Sequence, residues 1–154
     1  MVIFDEFTAI TYSGSIGTKG MVDIVQIDGG DVTIQGTVKT GSISFTTAQS
    51  ATLSLNNTSI INESITTTGN KIHTLAISND LTTGASGSGS VGSDSTHLKT
   101  FQFNGVDSKI TIDSEDFYSS ITTKTNNQGT AIFNANNGLT DDLGGENLNL
   151  KLVQ

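Results

Sequence analysis

The chain of 154 residues is long enough for one domain and carries a formal net charge of −8, with no cysteine, proline or tryptophan. The missing cysteines exclude disulfides and thiolate metal sites, and the negative charge argues against a nucleic acid partner because few cations are available to neutralise phosphates. No run of about 18 apolar residues occurs, so we expect no membrane insertion by this polypeptide.

The N-terminal segment has two open interpretations. Ile3, Phe4, Phe7 and Ile10 could form a short amphipathic turn, or they could form an edge strand that covers the first layer of a β structure. The acidic start of the chain does not resemble a signal peptide, which has basic residues followed by an apolar run. We therefore expect any export signal to lie outside this chain.

A rung-like pattern recurs from Ser15 almost to the end of the chain. The segment SIGTKGMVDIVQIDG, which begins at Ser15, is echoed by SVGSDSTHLKTFQFNG, which begins at Ser90. The repeats begin at apolar residues that are about 22 to 30 residues apart, a spacing typical of solenoids. These residues are Ile16, Val38, Ile65, Val91, Ile121 and Leu143.

Three copies share a finer spacing of three apolar residues. The second follows the first by three positions, and the third follows the second by two positions. Because the last step has period two, it places two side chains on one face of a strand. We predict that the second and third residues of each copy point inward at equivalent places in different rungs. The three sets are Val22, Val25 and Ile27; Ile72, Leu75 and Ile77; and Leu98, Phe101 and Phe103.

Polar corners of Asn, Asp and Gly follow these strands, and such residues tolerate the positive φ of tight turns. The longest of the polar segments, GASGSGSVGSDS over residues 84–95, has the composition of a flexible loop. No window has sustained helical spacing of apolar residues. The sequence thus predicts an all-β protein, a right-handed parallel β-helix of about six rungs in one domain over residues 1–154. A β-sandwich is the structural alternative.

The order of these phrases resembles the passenger domains of rickettsial autotransporters, the surface cell antigen family that includes outer membrane proteins A and B. The resemblance covers residues 13–153 and rests on the phrases SIGTKG, ITTTGN, HLKTFQFNG, NNQGTAIF and LGGENLNL. It implies a β-helical stalk or adhesin on the extracellular side of the outer membrane of a Gram-negative bacterium, with a role in virulence. It also implies a host cell-surface protein as partner, and a chain that is a fragment of a longer passenger.

Titratable residues give no catalytic constellation, so we predict a protein that is not an enzyme and binds no cofactor. His73 and His97 each lie beside a strand, and we interpret both as surface or turn residues. A cluster of Asp113, Glu115 and Asp116 follows a strand, where we expect a solvated corner. A loose calcium site is the alternative there, because carboxylates gathered in a loop suit that ion.

A β-helical enzyme acting on polysaccharides is the alternative function. Such enzymes use paired carboxylates at defined separations, and the acid pairs Asp28 with Asp31 and Asp141 with Asp142 are further candidates to examine. An enzyme would bring carboxylates of adjacent rungs together in a groove beside aromatic residues. Because most of the phenylalanines are predicted to point inward, the sequence favours a stalk.

The C-terminal strand carries apolar residues without a polar cap. Leu148, Leu150 and Leu152 alternate along it, and terminal repeats of solenoids normally present a polar face. We therefore expect either a frayed last rung or end-to-end self-association through these leucines.

Overall fold

The computed structural model describes residues 1–87, 89–113, 116–134, 138–139, 141–144 and 149–154. All regular secondary structure in these residues is β, and they contain no helix that could span a membrane. The strands in chain order are β1 (Val2–Phe4), β2 (Ile10–Tyr12), β3 (Val22–Ile27), β4 (Val32–Ile34), β5 (Lys39–Phe45), β6 (Thr52–Leu55), β7 (Ser59–Ile61), β8 (Ile65–Thr67), β9 (Thr74–Ile77), β10 (Leu81–Thr83), β11 (Ser90–Val91), β12 (Leu98–Phe103), β13 (Lys109–Ile112), β14 (Asp116–Phe117), β15 (Ser119–Thr123), β16 (Gln128–Phe133), β17 (Gly138–Leu139) and β18 (Leu150–Val153).

Parallel strands stack from one turn of the chain to the next, and each turn visits three faces. Face 1 consists of β1, β3, the second half of β5, β8, β11, β14 and β17. Face 2 consists of β2, β4, β6, β9, β12 and β15. Face 3 begins at the bridge between Ile16 and Val38 and continues through the start of β5, then β7, β10, β13, β16 and β18.

The stack makes about six turns, which confirms the predicted parallel β-helix. The β-sandwich alternative is wrong, because every pairing between the described strands is parallel. The right-handed sense stays a prediction, based on the strong preference of parallel crossovers for that hand. The N-terminal segment forms β1 and β2, so its interpretation as an edge strand over the first turn is confirmed.

Inward side chains of the three faces fill one continuous apolar core. On face 1 the partners along the stack are apolar in turn after turn, and all of them are buried. Because successive residues of a strand point to opposite sides, alternate side chains of each strand enter the core; most of these are apolar, but some are buried polar residues, among them Thr40, Thr83 and Thr123. The stacked face 1 residues are Val25, Ile43, Ile65, Val91 and Phe117.

The predicted equivalence of two copies of the repeat is confirmed. Leu75 pairs with Phe101 and Ile77 pairs with Phe103 across β9 and β12 of face 2. All four side chains are at most 1% exposed, so they are core residues at matching places in consecutive turns.

The third copy lies on another face, so this part of the prediction is wrong. Val25 and Ile27 are buried, but they belong to face 1, where they pair with Ile43 and Phe45. The physical reason is that inward–outward alternation is the same on every face of a β-helix, so the spacing of apolar residues does not identify the face.

The apolar residues that begin the repeats also fall on different faces. They stack in three pairs rather than in one column, because turn length varies from 18 residues between Val25 and Ile43 to 29 between Leu81 and Ile110. The pairs are Ile16 with Val38 on face 3, Ile65 with Val91 on face 1, and Ile121 with Leu143 on face 2.

The segment 84–95, predicted as a flexible loop, includes one strand. Ser90 and Val91 form β11, and Val91 is fully buried in the core. Ser88 lies outside the described residues. The Gly92 amide donates to the Ile65 carbonyl at 2.8 Å, which ties this part of the segment to the preceding turn.

Candidate functional site

The three carboxylates predicted at one corner are only partly described. Asp113 follows β13, and its Oδ1 accepts a hydrogen bond of 2.8 Å from Nδ2 of Asn134 in the next turn. Asp116 lies in β14, and Glu115 is outside the described residues. No group of three or more histidines and carboxylates suited to a metal ion occurs among the residues that the structure describes. The calcium site therefore stays a prediction.

The acid pair Asp28 and Asp31 holds neighbouring turns together. Oδ1 of Asp28 accepts a hydrogen bond of 2.9 Å from Thr46 Oγ1, and Oδ1 of Asp31 accepts one of 2.7 Å from the Thr52 amide. Each carboxylate thus satisfies a donor of the following turn. This is a structural role, and the two groups are directed at different partners.

His73 is a core residue, so its interpretation as a surface or turn histidine is wrong. Its side chain is 0% exposed, and the ring stacks on Phe45 with centroids 4.8 Å apart and planes 16° apart. Neither ring nitrogen has a hydrogen bond of normal geometry within the described part of the chain. Burial lowers the pKa of His73 from the usual 6.5, and the nearby Thr47 carbonyl opposes this shift only in part.

His97 lies in the turn before β12, as predicted, and takes part in an ionic cluster. Its Nδ1 is 2.8 Å from Asp141 Oδ2, and Lys71 Nζ is 2.8 Å from Asp141 Oδ1. The imidazole also packs against the Tyr118 ring, with centroids 5.4 Å apart. Burial opposes ionisation of Asp141, but the hydrogen bonds from Lys71 and His97 lower its pKa overall.

This cluster joins widely separated parts of the sequence at the corner between faces 1 and 2. Asp141 is only 10% exposed, so its two cationic or donor partners compensate for the lost hydration. Its neighbour Asp142 is exposed and does not join the cluster. The arrangement is that of a clamp between turns of the β-helix.

A groove at the corner between faces 3 and 1 is a candidate binding site among the described residues. We call it the corner groove; its volume is about 370 Å³. It spans three successive turns, and its lining residues are Met21, Val22, Asp23, Ile24, Gly41, Ser42, Asn62 and Glu63.

Local backbone geometry creates the floor of the corner groove. β3 and β5 each run through this corner as one continuous strand, whereas the next turn bends there between β7 and β8. Gly41 lies opposite Asp23, and a Cβ on Gly41 would be 2.6 Å from the Asp23 carbonyl oxygen. Glycine is therefore required by the close approach of two backbones, and its missing side chain keeps the floor open.

The corner groove combines apolar walls with hydrogen-bond acceptors. Met21 is 48% exposed and Ile24 is 36% exposed, although both are large apolar residues. Asp23 and Glu63 supply carboxylates, and Glu63 Oε2 accepts a hydrogen bond of 3.3 Å from Ser42 Oγ. Within the described ranges, neither carboxylate takes part in an ion pair.

Sequence reasoning missed this site, because Asp23 and Glu63 are far apart in the chain and only the stacking of turns brings them to one groove. One signal was available in the sequence. The spacing that sends Val25 and Ile27 inward leaves Ile24 facing outward, close in the chain to the exposed Met21, and a group of exposed apolar residues, unlike a single one, points to a contact surface.

Comparison of the chain with protein-family models, with curated proteins and with solved structures finds no match.

Proposed function

We propose that this chain is a non-enzymatic segment of a bacterial autotransporter passenger, a rigid stalk and adhesin on the outer surface of a Gram-negative bacterium. It contacts host cells through a cell-surface protein. The observation that carries the proposal is the continuous column of parallel strands from β1 to β18. A solenoid of this kind displays a long lateral surface and is stable through contacts between neighbouring turns.

Side-chain hydrogen bonds between turns support the role of a stalk. They link each turn to the next. Ser78 Oγ donates to Asn56 Oδ1 at 3.1 Å, and Thr66 Oγ1 donates to Ser44 Oγ at 3.1 Å. Such contacts join neighbouring turns both at the corners and along the strands. The resemblance of the repeated phrases to rickettsial passengers gives the proposal its biological setting.

Binding to cells tests the proposal directly. Fluorescently labelled chain should bind cultured host cells saturably, unlabelled chain should compete, and brief trypsin treatment of the cells should reduce the signal. A labelled acidic protein of similar size serves as the control for non-specific binding. Non-saturable binding equal to that of the control would refute the adhesin role.

Action on polysaccharides is the second candidate, favoured by one observation. Asp23 and Glu63 come from different turns and line one groove, as carboxylates of a glycoside hydrolase would. It ranks second because none of the described residues that line the groove is an aromatic residue on which a sugar ring would stack. Incubation with soluble α- and β-glucans should release reducing ends if this function is correct, and Glu63→Gln should abolish the release.

A further inference from the structure

We propose that the corner groove is the contact site for a basic, amphipathic segment of the partner protein, in which a lysine or arginine is flanked by apolar residues. This inference rests on the proposed function as an adhesin and specifies the chemistry of its contact. It depends on the size of the groove, on its apolar walls and on its charge.

The size of the corner groove suits a short segment of chain. Its volume of about 370 Å³ is at the lower end of the range for small-ligand sites. Because it spans three turns at an open corner, an extended peptide can enter from the side without a rearrangement of the backbone. The continuous strands β3 and β5 hold its floor in place.

The apolar walls match the stem of a long basic side chain. Lysine and arginine bury their methylene groups along apolar surface while the charged head stays near polar groups. Met21 and Ile24 offer that surface, and methionine adapts its shape to different partners. Their exposure is unfavourable in the free protein and is relieved when a partner covers them.

The carboxylates of the corner groove would bind the charged group of the lysine or arginine side chain. Asp23 and Glu63 have no cationic partner within the described residues, so both are available to an incoming ammonium or guanidinium group. Asn62 also lines the groove beside Glu63. A net charge of −8 also attracts a basic partner at long range and repels an acidic one.

A peptide titration tests the inference on the whole chain. The probe is acetyl-Leu-Arg-Leu-amide, added to isotopically labelled protein while backbone amide signals are followed by NMR. We expect saturable shifts at Asp23, Ser42 and Glu63, a Kd on the order of 1 mM, and weaker binding at higher salt. The matched probe acetyl-Leu-Glu-Leu-amide should cause no saturable shift.

Two variants separate a specific site from general attraction to an acidic protein. Asp23→Asn combined with Glu63→Gln should weaken binding of the basic peptide by about tenfold or more, because both charge-assisted contacts are lost. Asp94→Asn removes one exposed carboxylate at a different corner and should change the Kd by less than about twofold. Unaltered signals elsewhere in the spectrum establish that each variant is folded.

Four outcomes would overturn the inference: no saturable binding, equal binding of the acidic peptide, equal weakening by Asp94→Asn, or saturation of the groove by a neutral oligosaccharide instead. Cell binding by the double variant separates this inference from the adhesin proposal. If the double variant loses the peptide but binds cells fully, the groove is not the contact site and the adhesin proposal stands. If the wild-type chain binds the peptide in the groove but does not bind cells, the adhesin proposal fails.

Discussion

His73 occupies an inward position in its turn, so its ring must stay neutral to remain buried. Thr52 of the preceding turn pairs with Thr74, so Ala51 occupies the position in that turn that corresponds to His73. The small side chain of Ala51 suits the large imidazole ring of the neighbouring turn. The imidazole then stacks on Phe45 and acts as an apolar group.

The buried imidazole predicts a loss of stability at mildly acidic pH. Unfolded histidine titrates near pH 6.5 and folded His73 titrates lower, so the unfolded chain binds more protons between the two values. The stability is fully present above about pH 6.5 and falls as the pH drops through that window, by up to about 1.4 kcal/mol per pH unit. Urea unfolding of the wild type and of His73→Leu from pH 7.5 to 5.0 measures this. A wild type that loses no more stability than His73→Leu would contradict it.

Phe103 is predicted to be a major contributor to the core. It is fully buried and makes an edge-on contact with Phe101 at 5.6 Å between centroids. Phe103→Ala should reduce the free energy of unfolding by about 3 to 5 kcal/mol, because a cavity remains. Phe7 is the matched control, since it is 73% exposed and Phe7→Ala should change stability by less than about 0.5 kcal/mol. Equal losses of stability in urea unfolding for the two variants would mean that Phe103 does not contribute to a packed core.

At the scale of elements, corners decide how the turns stack. Strands β3 and β5 pass through one corner without a bend, and Gly41 allows the two backbones to approach. Other corners contain polar turns whose side chains bond to the next turn. The corner through which β3 and β5 pass thus sets both the register of the face 1 strands and the floor of the corner groove.

Gly41→Ala should destabilise the protein. The new Cβ would be 2.6 Å from the Asp23 carbonyl oxygen, so a backbone must shift, at a cost of about 1 to 3 kcal/mol. Gly20→Ala is the control, because a Cβ there meets nothing within 4 Å, and we expect no loss or a gain of about 0.4 to 1 kcal/mol. Thermal unfolding of both variants measures the difference. A neutral Gly41→Ala would show that the two backbones can separate freely.

The clamp of Lys71, His97 and Asp141 is predicted to stabilise the last turns. Asp141→Asn should reduce the free energy of unfolding by about 1 to 2 kcal/mol. The loss is measurable because Asp141 is nearly buried, and it is limited because Lys71 is half exposed and its charge is partly screened by solvent. The lowered pKa of Asp141 means that this contribution is present above about pH 4 and is lost as the pH falls below its unfolded value of 3.8.

Asp107→Asn is the control for the clamp. Asp107 pairs with Lys151 at 2.9 Å but is 77% exposed, so its removal should have almost no effect. Urea unfolding at pH 7 and pH 3 compares the two variants. If Asp107→Asn costs as much as Asp141→Asn at pH 7, partial burial does not strengthen the clamp.

The whole molecule has a terminal turn at each end of the stack. Within the part of the chain that the structure describes, β1 pairs only with β3, and β18 pairs only with β16. Apolar side chains are exposed near the first turn, among them Ile3 and Phe7. At the other end, Leu150 packs in part against the core.

End-to-end association is therefore predicted to depend on concentration and salt. Free strand edges pair with other chains, and a net charge of −8 opposes contact between copies until salt screens it. Light scattering over a dilution series at 20 mM and 500 mM NaCl should show association that increases with both variables. Leu148, predicted to contribute, lies outside the described residues, and only the backbone of Leu152 is described. A strictly monomeric particle at every concentration would contradict this prediction.

Much of the fold could be predicted from local pattern. The spacing of Leu75 and Ile77, repeated at Phe101 and Phe103, was enough to predict stacked parallel strands and an inward direction for these residues. The same spacing at Val25 did not reveal its face. The corner groove could not be predicted, because Asp23 and Glu63 belong to turns whose relative position depends on every intervening corner.

The sequence by itself determined the class of structure: an all-β solenoid whose alternating Val, Ile, Leu and Phe residues fill the core. It could do so because the direction of a side chain in a strand depends only on its nearest neighbours in the chain. Only the tertiary structure decided which strands stack, that His73 faces inward and that Asp23 and Glu63 line one groove. These features depend on the combined lengths of all the corners between two strands. Because corner length differs from turn to turn, no short segment of the sequence reveals it.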